Sequence, residues 1–113
     1  MTLNEYQAEA MRTASRTATA HEDNLLLNGV MGLNGEAGEV IDMVKKMLFQ
    51  GHTLDKDHMA KELGDCLWYL AVAAKGIGYD LDTIAEMNKA KLRNRYPDGF
   101  ETERSLHRDS KDI

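Results

Sequence analysis

The sequence predicts an all-α protein, a four-helix antiparallel bundle, and three observations lead there. Apolar residues recur at helical rather than alternating spacing along most of the chain. The chain has one proline, Pro97, and its β-branched residues seldom cluster. The connections between the periodic stretches are short, and short connections make neighbouring helices antiparallel.

The first element covers about residues 3–20. Thr2 and Glu5 have capping-box spacing, and Leu3, Tyr6, Ala10 and Ala14 recur on one face. Its end is poorly marked, because "RTASRTATA" is weak in helix propensity. The second element begins at Asp23, a residue suited to an N-cap, and runs to about Gln50 with Gly51 as its stop. Asn28 to Gly32 is where an interruption is expected. The third follows the turn "GHTLDKD", is capped by Asp55 and runs to about Lys75, before the glycines of "KGIGYD". The fourth starts behind Asp80 and stops before Pro97, which cannot continue a helix and restricts Tyr96. Residues 98–113 are mostly polar and read as a loose tail, or an arm reaching a partner.

A chain of 113 residues holds one domain with one core, so residues 1–113 read as a single helical domain with its helical core at about 3–96. The net charge of −5 argues against a nonspecific grip on nucleic acid. Cys66 stands alone, which excludes an intramolecular disulfide framework and a CxxC zinc site and fits a reducing, cytoplasmic location. No apolar run approaches the roughly 18 residues of a membrane span. The N-terminus "MTLNEYQAEA" has neither the basic nor the apolar part of a secretory signal. Seven methionines read as flexible core fillers, and Cys66 as an inert apolar one.

Chemistry enters with two acidic pairs. One stretch reads Glu36-Ala-Gly-Glu39-Val-Ile and the other Glu62-Leu-Gly-Asp65-Cys-Leu. Both have the form acid-x-Gly-acid followed by two apolar residues. On a helical wheel Leu33, Ala37, Val40, Val44 and Leu48 form the apolar arc of the second element, and Met59, Leu63, Cys66, Leu70 and Ile77 that of the third. Each acid pair stands in the same relation to its arc. Folding the chain back at Gly51 brings Glu36 roughly level with Asp65, and Glu39 with Glu62. Four carboxylates then converge beside the core, where they repel unless they take up protons or hold a cation. Oxygen donors suit Mg²⁺, Mn²⁺ or Ca²⁺. Gly38 and Gly64 inside the motifs, and Gly35 beside the first, leave room for close backbones or for the ion.

On these residues the sequence resembles the MazG-like, all-α nucleoside triphosphate pyrophosphohydrolases. Their mark is ExxE on one helix and ExxD on the next, here Glu36/Glu39 and Glu62/Asp65 with 22 residues between the pairs. The segment "NKAKLRNRYPDGF", residues 88–100, is similar to the family's basic stretch, so the resemblance covers about residues 24–100. It implies Mg²⁺-dependent (or Mn²⁺-dependent) hydrolysis of a nucleoside triphosphate to the monophosphate and pyrophosphate. It also implies a homodimer or homotetramer with sites completed near subunit contacts. Glu36, Glu39, Glu62 and Asp65 are then the metal-binding and catalytic residues, with Glu36 or Glu39 as the general base.

A triphosphate also needs cations and a slot for its base. In the fourth element Asn88, Lys91 and Arg95 share the inward stripe with Leu81, Ile84 and Leu92, and are placed to meet phosphate. The bland reading is a basic helix end favoured by the helix dipole. Lys46 is a weaker candidate. Trp68 and Tyr69, flanking Asp65, are candidates for the base slot, although packing is the more ordinary use of such residues. His21, His52, His58 and His107 have no metal-site spacing and read as surface groups. A di-iron bundle requires Glu-x-x-His, which does not occur in this chain. The alternative is a protein of the same fold that binds Mg²⁺ and nucleotide without turnover, or a structural helical protein.

Overall fold

The structure is a computed structural model that describes residues 1–15 and 24–113. Among these residues there are five helices and no strand: α1 (Leu3–Met11), α2 (Asn24–Gln50), α3 (Lys56–Gly76), α4 (Leu81–Arg95) and α5 (Thr102–Leu106). They divide into two compact units, Met1–Leu81 and Asp82–Ile113. No helix among the described residues is long and apolar enough to cross a membrane. Asp23, the expected cap of α2, and residues 16–20 of the first element lie outside the described residues.

In the first unit, α1 is capped by Thr2, whose Oγ1 accepts from the Glu5 backbone N–H at 3.0 Å. The helix ends at Met11, sooner than its apolar spacing suggests. The Thr13 hydroxyl donates to the Ala10 carbonyl at 3.2 Å, a local bond that competes with continued helix. Helix α3 starts on Asp55, whose side chain accepts from the His58 N–H at 3.0 Å. Gly51, at φ 72°, ends α2 as expected.

Helix α2 runs through Asn28–Gly32 without the expected interruption. The reason is tertiary. A Cβ on Gly29 would lie 2.5 Å from the Ala73 backbone nitrogen, and one on Gly76 would lie 2.5 Å from that of Leu26. The two backbones meet along this seam, and its burial compensates for the low helix propensity of glycine. At Gly32 the space a Cβ would take is filled by the Tyr69 ring.

The seam also corrects the expected core. Ala37 and Leu48 on α2 are exposed, as are Leu63 and Leu70 on α3 and Ile77 at its C-cap, with Leu48 at 64% and Leu63 at 54%. Leu33, Val40, Val44, Met59 and Cys66 are half-buried. The methionines are not core fillers as a class, because Met31 and Met87 are exposed too. Small residues set the contact line, whereas a wheel read for bulk points to the larger neighbours.

Gln7 fastens α1 to the far end of α3. Its buried amide donates to the Ala71 and Tyr79 carbonyls at 3.2 and 3.1 Å and accepts from the Leu81 N–H at 3.2 Å. The sequence gives no hint of this clamp, since a glutamine on an amphipathic helix ordinarily faces water.

In the second unit, α4 ends at Arg95, ahead of Pro97 as expected. The following chain is not a featureless tail. It carries α5, and the Tyr96 and Phe100 rings pack with centroids 5.2 Å apart. Asp112 returns to Arg95 through a two-pronged ion pair.

Candidate functional site

The seam places the acids. Leu26 meets Gly76, Gly29 meets Ala73, and Gly32 meets Tyr69. Continuing those helical rows by one step brings Glu36 opposite Asp65 and Glu62. Ligand oxygens of Glu36, Glu62 and Asp65 lie within 4.8 Å of one another. Glu36 and Glu62 are half-buried, and Asp65 is exposed.

Glu39 is not in this close set. It is exposed, and it acts on the group through its charge. Three of the four expected carboxylates thus converge, and the fourth stands one turn beyond. Gly35, Gly38 and Gly64 do not admit a close backbone, since a Cβ on any of them would meet nothing within 4 Å. Gly29 and Gly76 do that work instead, and Gly32 makes room for the Tyr69 ring.

The electrostatics follow from the crowding. The Glu36 carboxyl is held above its ordinary range, first by a hydrogen bond with Glu62, then by desolvation and the charges of Glu62, Asp65 and Glu39. A hydrogen bond between two carboxyl groups needs a proton on one of them. Glu62 is also in contact with His58, whose Nε2 lies 3.2 Å from its Oε1. Tyr6, on α1, has its phenol pushed up by burial and by the charge of Asp65. His58 was legible as the i−4 neighbour of Glu62. Tyr6 had no signal in the sequence beyond its place on the inner face of α1.

The donor set fits a divalent cation. Oxygens bound to one Mg²⁺ at about 2.1 Å lie no more than about 4.2 Å apart, so the three carboxylates need only a small contraction. An ion would also remove the conflict that raises Glu36.

Residues 27–100 match the family described as MazG nucleotide pyrophosphohydrolase domain. The chain belongs to the MazG family. It is also similar to the gene 37 protein of Mycobacterium phage L5, with 35% identity over 101 residues that cover 84% of this chain and 89% of that protein. No solved structure matches the chain at a significant level. The all-helical architecture agrees with a MazG fold, and the family match spans both acid pairs and the whole of α4.

The remaining MazG candidates are placed as follows. Trp68 donates its indole N–H to the Thr13 hydroxyl at 3.1 Å and packs edge-on against Tyr69, with centroids 5.0 Å apart. Both aromatics therefore have packing partners within the first unit. Lys46 pairs with Asp42 at 3.0 Å. In the second unit Asn88 is exposed and Lys91 half-buried. The Arg95 guanidinium is engaged by Asp112, with Nε and Nη2 donating at 2.6 and 2.9 Å.

Proposed function

We propose that this chain is a Mg²⁺-dependent nucleoside triphosphate pyrophosphohydrolase, releasing the monophosphate and pyrophosphate in the cytoplasm. The observation that carries the reading is the convergence of Glu36, Glu62 and Asp65 on one seam, where the crowding raises the Glu36 carboxyl above its ordinary range. The MazG match supports it independently.

Glu36, Glu62 and Asp65 would hold the metal, with Glu39 standing one helical turn away. Mn²⁺ has the same donor preference. A bound Mg²⁺ supplies charge neutralisation for a polyanionic substrate and a more acidic water. Glu39 is the better general base of the two candidates, since it is exposed, lies outside the close set and keeps a carboxylate available to water. Asn88, Lys91 and Arg95 contact the phosphates, and Trp68 and Tyr69 border the base. Their mutual packing suits them to a wall of that slot rather than to a mobile lid.

The chain acts as a homodimer or homotetramer. Support comes from its exposed apolar stripes: Ile41 and Leu48 on α2, and Leu63 and Leu70 on α3 with Ile77 at its C-cap, each at seven-residue steps. Heptad-spaced aliphatic stripes are suited to helix pairing, and a single copy leaves them in water. The buried apolar residues among those described are small or few: Ala10, Ala71, Val72, Ala74 and Leu81.

The test is a panel of nucleoside triphosphates with Mg²⁺, resolving pyrophosphate from orthophosphate. Pyrophosphate release that is abolished by chelation and by Glu62→Ala supports the reading. Orthophosphate as the only anion refutes the assigned bond cleavage. Metal-dependent nucleotide binding without turnover would favour the non-catalytic alternative.

A further inference from the structure

Within the second unit, Lys91 and Arg95 stand one helical turn apart on α4. Asp112 reaches back to this pair. Its Oδ2 accepts from Arg95 Nε at 2.6 Å and its Oδ1 from Arg95 Nη2 at 2.9 Å, and both side chains are only 13–14% exposed. A second arginine holds the same residue: Arg108 Nη2 donates to the Asp112 carbonyl at 2.9 Å, and Arg108 Nε lies 3.8 Å from Oδ2. The preceding turn presents the carboxylate. Asp109 accepts from the Lys111 N–H through its side chain and from the Asp112 N–H through its carbonyl, both at 2.9 Å. Beside the pair lies a cavity of about 240 Å³, lined also by Asn94, Arg104 and His107.

We propose that Asp112 is an internal stand-in for a substrate phosphate, occupying the Arg95 fork until an incoming nucleotide displaces it. This rests on the reading that Arg95 contacts phosphate. The chemistry is direct. A guanidinium binds carboxylate and phosphate oxygens with the same two-pronged geometry, so one ligand excludes the other. A tethered carboxylate competes at high effective concentration. A phosphate group prevails once bound because it carries more charge into a field set by Arg95, Arg108 and Lys91. That field already holds the Asp112 carboxyl below its ordinary range, chiefly through the Arg95 hydrogen bonds. The cavity beside the pair gives the arriving anion somewhere to enter before Asp112 leaves. The segment 109–112 would thus set the affinity of the site without belonging to it.

The test uses the full chain without metal and inorganic pyrophosphate as the probe, with affinity read by calorimetry. If Arg95 is free about a tenth of the time, Asp112→Asn tightens pyrophosphate binding about tenfold, and Arg95→Ala in that background removes the gain. Asp112→Ser guards against an effect peculiar to the asparagine. Three results overturn the proposal: no tightening in either variant, tightening that survives Arg95→Ala, or no pyrophosphate binding by the Asp112 variants. Nucleotide hydrolysis by the same proteins is a separate readout. Tightening without hydrolysis in any variant sinks the hydrolase reading and leaves the stand-in intact. Hydrolysis without tightening does the reverse.

Discussion

The glycines of α2 and α3 fall into two classes that look alike in sequence and should respond oppositely to alanine. At Gly35, Gly38 and Gly64 a methyl group would meet nothing within 4 Å. Each substitution should therefore yield the full helix-propensity gain, about 1 kcal/mol. At Gly29 the methyl group would lie 2.5 Å from a backbone nitrogen and 2.6 Å from the Ala73 Cβ, and neither can swing away. There the same gain is offset by overpacking, typically 1–3 kcal/mol and at the upper end where backbone is struck, so Gly29→Ala should lose about 1–2 kcal/mol net. Thermal unfolding in metal-free buffer resolves this, since 1 kcal/mol moves the midpoint by about 4 °C in a chain of this size. Gly35→Ala and Gly64→Ala should melt higher, and Gly29→Ala lower.

The same variants ask what the open glycines are for. They flank the acid cluster, and on the proposed function the open space beside them is room for a ligand or another subunit. A Gly35/Gly38/Gly64 triple alanine variant should be more stable as a folded chain and yet lose pyrophosphate release or assembly. Unchanged stability of Gly29→Ala would refute the close approach of α2 and α3. A triple variant that is both stabilised and fully active would refute the idea that these glycines reserve room.

Other consequences can be checked together. Gln7→Leu strands the Ala71 and Tyr79 carbonyls and the Leu81 N–H, and should lower stability by about 3 kcal/mol, read from the urea midpoint. Asp55→Ala removes the α3 cap and should cost about 1 kcal/mol on the same assay. The raised Glu36 carboxyl means that the folded state holds the extra proton, so metal-free stability should fall as pH rises from Glu36's ordinary 4.5 through its elevated value. Divalent metal should accordingly stabilise the protein more above that window than below it; equal effects would remove the cluster as the metal's site. Glu62→Gln removes the first cause of the Glu36 shift, and carbon-13 titration of the Glu36 carboxyl should show it returning toward the ordinary range.

The helices were legible where the chain announces its own ends. Asp55, Gly51 and Pro97 act on their immediate neighbours, and the structure places boundaries at each. What the sequence concealed depends on residues far apart in the chain. Asn28–Gly32 looks like a break because glycine is a poor helix former in isolation, and only Ala73 and Tyr69, some 40 residues on, show why it is a seam. The same seam explains why the apolar arcs were drawn one step too far round. Leu63, Leu70 and Ile77 are bulkier than Gly76 and Ala73, but the smaller residues decide where backbones can touch. The acid cluster survived that error for a simple reason. Its level depends only on counting back from Gly51, which any antiparallel pair obeys, whereas its facing depends on the seam. Hence the level of Glu36 with Asp65 was readable, and the position of Glu39 outside the close set was not. Asp112 is the extreme case. Seventeen residues separate it from Arg95, the chain between carries charges of both signs, and nothing local distinguishes Asp112 from Asp109. Only a folded tail selects one carboxylate among several. Its pairing with an arginine that the helical stripe of α4 nominates for phosphate is the kind of contact that sequence reasoning cannot reach and structure can.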